Sequence, residues 1–155
     1  TVLQAVQMLP PKENPVVFAL YYKSVTEFYR YLKPGEKEFA ESIASSPDSI
    51  QPILVYAEFL LKSSVPNRAL KAYSAAIHLD PSDEIARIGA GIACWETESF
   101  REARMHFHRA AALWSGYLPG DNPRVTLSRE LSALDNFAPL PQNAYDLLLI
   151  EEDSQ

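Results

Sequence analysis

The sequence predicts an all-α fold, a solenoid (α-α superhelix) of about three helical hairpins followed by a C-terminal capping helix. The first observation is internal repetition at an offset of 34 residues. The aligned pairs are Ala69 with Ala103, Tyr73 with Phe107, Ala76 with Ala110 and Ala57 with Gly91. The second is the spacing i, i+4, i+7 of Ala69, Tyr73 and Ala76, which forms one stripe of a helix. The third is Pro81, because proline cannot continue a helix interior.

The first unit is predicted over residues 16–49. Asn14 is placed as an N-cap and Pro15 at the first helical position, and the helical pattern runs to Leu32. Lys33-Pro34-Gly35 breaks it, and "GEKEFAESIASSP" then predicts a short second helix. Within that helix, Phe39 occupies the place that Tyr73 has in the next copy.

The second and third units are predicted over residues 50–83 and 84–117. Ser63 to Pro66 forms the inter-helix turn of the second unit, and Thr97 to Ser99 that of the third. Small residues at the ends of each stripe allow a neighbouring helix backbone to approach, and the aromatic between them fills the space beyond. The residues assigned to packing between helices are Ala57, Ala69, Tyr73, Ala76, Pro81, Gly91, Ala103, Phe107 and Ala110.

The repeat stops after Ser115, and a last helix is predicted over about 123–137. Its stripe of Leu127, Leu131 and Leu134 would cover the end of the stack. The opening segment "TVLQAVQML" is interpreted as a short helix that covers the N-terminal end of the stack. Residues 138–155 form an apolar and acidic tail outside this helical domain of residues 1–137.

On these residues the chain resembles the tetratricopeptide repeat (TPR) family, whose helix-turn-helix unit carries small residues at fixed positions, an aromatic in the second helix and a proline at its end. The units 50–83 and 84–117 carry the match. The chain departs from the pattern at Ser115, where proline is expected, and at Lys23, where a small residue is expected.

The resemblance implies a concave groove lined by the first helix of each unit. The first unit contributes Val17, Leu20, Ser24, Glu27 and Phe28; the second Gln51, Leu54, Glu58, Leu61 and Lys62; the third Ile85, Ile88, Ile92, Trp95 and Glu96. This lining is mostly apolar. Co-chaperones of the family hold a C-terminal carboxylate with basic groove residues, and such a clamp is missing here, since Glu58 would repel the ligand.

An apolar groove favours a protein or peptide partner with apolar anchors, either an amphipathic helix or an extended segment. The alternative is that a terminal helix of the chain itself fills the face. For the tail, three interpretations stay open. Tyr145 to Ile150, followed by Glu151 to Asp153, either docks on its own or a neighbouring groove, which would allow self-association, or serves as a linear motif for another protein. The third interpretation is a disordered acidic end.

Charge and composition argue against other classes. The net charge of −6 comes mainly from residues 118–155, and no basic stripe for nucleic acid is present. No apolar run approaches a membrane span, so no direct membrane insertion is expected. His106 and His108 are two residues apart and point about 200° from one another on a helix, so no metal site or other cofactor is expected.

The predicted function is non-enzymatic protein binding. Cys94 could act as a thiol nucleophile, but its place in the repeat favours packing. The alternatives are a chaperone like those for translocator proteins of type III secretion systems, which such a three-repeat chain also resembles, and a structural subunit or scaffold of a larger assembly. The single cysteine favours a reducing, cytoplasmic compartment.

Overall fold

The computed structural model describes residues 36–46 and 48–149, and all the regular structure in these ranges is helical. The all-α prediction is therefore confirmed for this part of the chain. The elements are α1 (Lys37–Ser45), α2 (Gln51–Lys62), α3 (Pro66–Leu79), α4 (Glu84–Glu96), α5 (Phe100–Ser115), α6 (Pro123–Leu131) and a 3₁₀ helix (Gln142–Leu148). None of these described helices is both long and apolar enough to cross a membrane.

The chain divides into two compact units, Thr1–Pro81 and Ser82–Gln155. In the first, α2 packs against both α1 and α3. In the second, α4 and α5 form the principal pair, α6 packs on α5, and the 3₁₀ helix packs on α4 and α6. Each of the pairs α2–α3 and α4–α5 is joined by a three-residue turn, as expected of helical hairpins.

The starts of α3, α4 and α6 are fixed by local chemistry. Pro66 and Pro123 occupy the first position of α3 and α6, where a missing N–H leaves no hydrogen bond unmade. The Asp83 side chain accepts a hydrogen bond from the Ala86 amide at 2.8 Å and caps α4. Asn122 caps α6 in the same way, accepting from the Arg124 amide at 2.9 Å.

The two hairpin turns have the same backbone geometry 34 residues apart. Ser64 (φ 63°) and Glu98 (φ 65°) are both left-handed. The amide after each donates to the helix it follows: Val65 to the Leu60 carbonyl at 3.1 Å, and Ser99 to the Cys94 carbonyl at 2.8 Å. This is the Schellman motif, which ends a helix by satisfying its last carbonyls. The repeat seen in the sequence is thus also a repeat of hydrogen bonding.

Glycine at either left-handed position should stabilise the fold, because Ser64 and Glu98 carry a Cβ in a conformation that disfavours it. We expect Glu98→Gly to raise the free energy of unfolding by about 1 kcal/mol, measured by urea unfolding at unchanged m value. Glu98→Ala is the control, since it removes the carboxylate but keeps the Cβ. Equal midpoints for the two variants would contradict the prediction.

A buried polar cluster joins α1, α2 and α3. Glu36, at the start of α1, is 6% exposed. Arg68 of α3 donates from Nη1 and Nη2 to its two carboxylate oxygens at 3.1 and 2.5 Å. Tyr56 of α2 donates its hydroxyl to Glu36 at 2.9 Å and accepts from Arg68 Nη2 at 2.8 Å. Burial and the bond to Glu36 raise the pKa of Tyr56, so its proton stays in place at neutral pH.

The residues assigned to packing are buried in the structure, with one exception. Ala57, Ala69, Ala76, Ala103, Phe107 and Ala110 are fully buried, and Tyr73 is 1% exposed. A Cβ built on Gly91 would lie 2.6 Å from the Phe107 ring, so only glycine fits that approach. Pro81 is exposed instead of packed, because α3 already ends at Leu79.

The C-terminal part differs from the prediction in two respects. The capping helix ends at Leu131, six residues early, and Arg104 binds the chain just beyond it at the Leu134 carbonyl. Its buried stripe is Val125, Ser128 and Leu131, whereas Leu127 and Leu134 are only half-buried. Residues 142–148 are not a separate tail, since the 3₁₀ helix packs within the second unit.

Candidate functional site

The groove residues predicted on α2 are partly buried. Leu54 and Leu61 are 3% and 4% exposed, and Glu58 pairs with Lys62 at 2.7 Å. The apolar side chains that reach the surface are Val55, 52% exposed, and Phe59, 41% exposed. The accessible apolar stripe therefore lies one residue, or about 100° of helix, away from the predicted one. Val17 and Leu20, predicted on the first unit, lie outside the described residues.

The groove residues predicted on α4 are enclosed. Ile88 and Ile92 have no exposed surface, Ile85 is half-buried, and Trp95 is 6% exposed. These side chains do not present an open apolar face in this conformation. The run of buried residues from Ile88 to Trp95 marks α4 as a helix surrounded on all sides.

At Trp95 the covering element is the chain's own C-terminal segment. The indole Nε1 donates to the carbonyl of Ala138 at 2.7 Å. The ring centroids of Trp95 and Phe100 lie 4.7 Å apart in an edge-to-face arrangement, and those of Phe100 and Phe137 lie at the same distance. This places an aromatic cluster at the C-terminal end of α4, with Phe137 itself 73% exposed.

The 3₁₀ helix completes this arrangement. Ala144, Leu147 and Leu148 are buried, and the hydroxyl of Tyr145 donates to the carboxylate of Glu96. Burial, and then the bond to Glu96, raise the pKa of Tyr145, so it remains a donor at neutral pH. Of the interpretations left open for the tail, residues 138–149 show docking on their own chain.

A cleft of about 430 Å³ remains beside the docked segment. Its walls are Trp95, Phe100 and Phe137 on the aromatic side and Pro139 and Tyr145 on the segment side. We call this the tail cleft. Phe100 and Phe137 were not predicted as site residues, although Phe100 follows directly on the predicted hairpin turn.

Cys94 lies in the core, 4% exposed. Burial, with a smaller contribution from Glu102, raises the pKa of its thiol to about 11. The thiol is therefore protonated at pH 7, unlike the low-pKa, accessible thiolates of catalytic cysteines. This environment agrees with the packing interpretation of Cys94.

Searches with protein-family models, among curated proteins and among solved structures found no match to this chain.

Proposed function

We propose that the chain is a non-enzymatic protein-interaction module of the tetratricopeptide type, which holds an apolar segment of a partner protein against its helical hairpins. The hairpins α2–α3 and α4–α5 support this proposal, since they share the same Schellman turn at an interval of 34 residues. So does the close fit of Gly91 to Phe107, a contact of the kind that the repeat pattern calls for.

The docked segment 138–149 is the observation that carries the proposal. Its main-chain carbonyl at Ala138 accepts a hydrogen bond from Trp95, two prolines follow at 139 and 141, and Leu147 and Leu148 are its buried apolar anchors. These are the features by which extended peptides bind grooves in trans, with main-chain bonds for affinity and pockets for side-chain choice. We therefore expect the bound segment of the partner to carry the same features, namely a free main-chain carbonyl, prolines and apolar anchors.

A partner of this kind would have to displace the chain's own segment from its place on α4 and α6. The apparent affinity is then the intrinsic affinity multiplied by the fraction of molecules in which the segment has left that place. We therefore expect weak binding to the native chain and tighter binding when the segment is loosened.

The experiment uses a labelled peptide with the sequence of residues 138–149 and the full chain. The variant Leu147→Asp with Leu148→Asp places two carboxylates where buried leucines dock, and we expect it to bind the peptide about tenfold more tightly than the native chain. Fluorescence anisotropy measures the affinity, and circular dichroism verifies the helical fold.

The matched control is Gln142→Asp with Asn143→Asp, two exposed positions in the same 3₁₀ helix. It adds the same charge without removing an anchor, so its peptide affinity should equal that of the native chain. A folded Leu147→Asp, Leu148→Asp variant that binds no better than this control would contradict the proposal.

A further inference from the structure

A second cavity, of about 620 Å³, lies along α5 and carries a concentration of arginine. We call it the basic cavity. Its principal lining residues are Arg87, Arg101, Glu102, Arg104, Met105 and Arg109. All of them belong to the second unit, and all but Arg87 lie on α5.

The charge of this cavity is opposite to that of its surroundings. Residues 82–149 contain six arginines, no lysine and nine carboxylates. Four of the six arginines line the basic cavity, together with one carboxylate, Glu102. Its formal charge is thus about +3 within a unit that is acidic as a whole, counting each guanidinium as fully charged.

Among the described residues, no carboxylate forms an ion pair with Arg101, Arg104 or Arg109. Arg104 donates to neutral oxygens, Asn136 Oδ1 at 2.5 Å and the Leu134 carbonyl at 3.3 Å. Within the part of the chain that the structure describes, neither Arg101 nor Arg109 has a carboxylate within ion-pair distance. Burial lowers the pKa of Arg87, and the positive charge of Arg109 lowers it further. The positive charges of Arg87 and Arg109 thus repel one another, and an anion bound at Arg109 would reduce that repulsion.

The remaining lining groups add polarity and apolar surface. Burial, and then Arg87, lower the pKa of His106 to about 4, so its ring is neutral at pH 7 and offers hydrogen bonds, not charge. Met105 is 64% exposed and supplies a flexible apolar contact. The cavity thus combines anion-binding guanidiniums with an adaptable apolar side chain.

We propose that the basic cavity binds an acidic segment of a partner protein, with carboxylates on Arg101 and Arg109 and an apolar side chain on Met105. Planar guanidiniums bind carboxylates through paired hydrogen bonds, which suits aspartate and glutamate side chains. A nucleic acid fits less well, because the carboxylates elsewhere in this unit would repel a long polyanion. The proposal concerns a surface other than the tail cleft and does not depend on how that cleft is used.

The test uses the full chain and a fluorescein-labelled peptide, Glu-Leu-Glu-Glu-Leu-Glu, at low ionic strength. We expect binding that weakens as salt is added and that is lost when glutamine replaces every glutamate. Arg101→Glu and Arg109→Glu should each weaken binding about tenfold, because each reverses a charge inside the cavity.

Arg129→Glu is the matched control, an equal charge reversal at an exposed position of α6 in the same unit. It should leave the affinity nearly unchanged. Equal losses in all three variants would show a general effect of net charge and overturn the proposal, as would the absence of binding at low salt. Tighter binding of a labelled single-stranded oligonucleotide, with the same dependence on Arg101 and Arg109, would assign the cavity to nucleic acid instead.

Discussion

Arg68→Leu should lower the free energy of unfolding by about 3–5 kcal/mol, the range for breaking a buried ion pair from one side. Arg68 supplies both hydrogen bonds of a guanidinium fork to Glu36, whose side chain is only 9% exposed. Without it, the buried carboxylate keeps the hydrogen bond from Tyr56 but loses the guanidinium that balances its charge. Leucine fills part of the volume but cannot compensate the charge, so the loss should appear as a lower urea midpoint.

A double variant that also removes the charge of Glu36 distinguishes the effect of the unbalanced charge from the effect of lost packing. Glu36→Gln combined with Arg68→Leu removes both charges, and we expect it to be more stable than Arg68→Leu alone. Lys62→Leu is the matched control, since it breaks the Glu58–Lys62 pair, whose lysine is 60% exposed. That loss should stay below about 1 kcal/mol. If Arg68→Leu were no more destabilising than Lys62→Leu, the cluster would have no special part in holding the first unit together.

The hairpins could be predicted from the sequence because their determinants are local. The turn after α2 and the turn after α4 were both placed correctly, and α3, α4 and α6 begin where proline or an Asp or Asn cap favours a start. A repeated pattern strengthens such inferences, since two copies make the same choice independently. The Glu36 cluster had no such basis, because its members are 20 and 32 residues apart.

The candidate sites could be predicted only in part, because burial depends on what the whole chain covers. On α2 the repeat pattern placed the groove at Leu54 and Leu61, whereas Val55 and Phe59 are the exposed side chains. On α4 the sequence did indicate that the predicted groove residues would be buried. The stretch Ile88 to Trp95 has no charged or strongly polar residue, the composition of a helix buried all round.

Docking of the C-terminal segment over Trp95 was one of the interpretations of the tail, but the sequence alone could not decide between docking on its own chain and binding to another molecule. Tyr145 to Leu148 has enough apolar surface to dock in cis or on another molecule. Whether the segment docks on its own chain depends on where Glu96 and Trp95 lie in space. Glu96 accepts a hydrogen bond from Tyr145, and Trp95 donates one to the carbonyl of Ala138. The basic cavity was missed for the same reason, because Arg87 comes from a different helix than its other arginines.

The repeat assigned Gly91 and Phe107 separately to helix packing, and the contact that the structure shows between them gives the second large effect. Phe107→Ala should lower the free energy of unfolding by about 3–5 kcal/mol, since it empties the space of a fully buried ring. Gly91→Ala in the native background should lower it by about 1–2 kcal/mol, because the new methyl would lie 2.6 Å from that ring. The gain in helix propensity from glycine to alanine, about 1 kcal/mol, offsets only part of the clash.

Once the ring is gone, the sign of the Gly91→Ala effect should reverse. In the Phe107→Ala background the methyl enters vacant space and the helix propensity acts alone, so the double variant should be about 1 kcal/mol more stable than Phe107→Ala. Gly120→Ala is the matched control, because a Cβ there meets nothing within 4 Å and its effect should not depend on residue 107. If Gly91→Ala were equally destabilising in both backgrounds, the Phe107 ring would not be what requires glycine at this position.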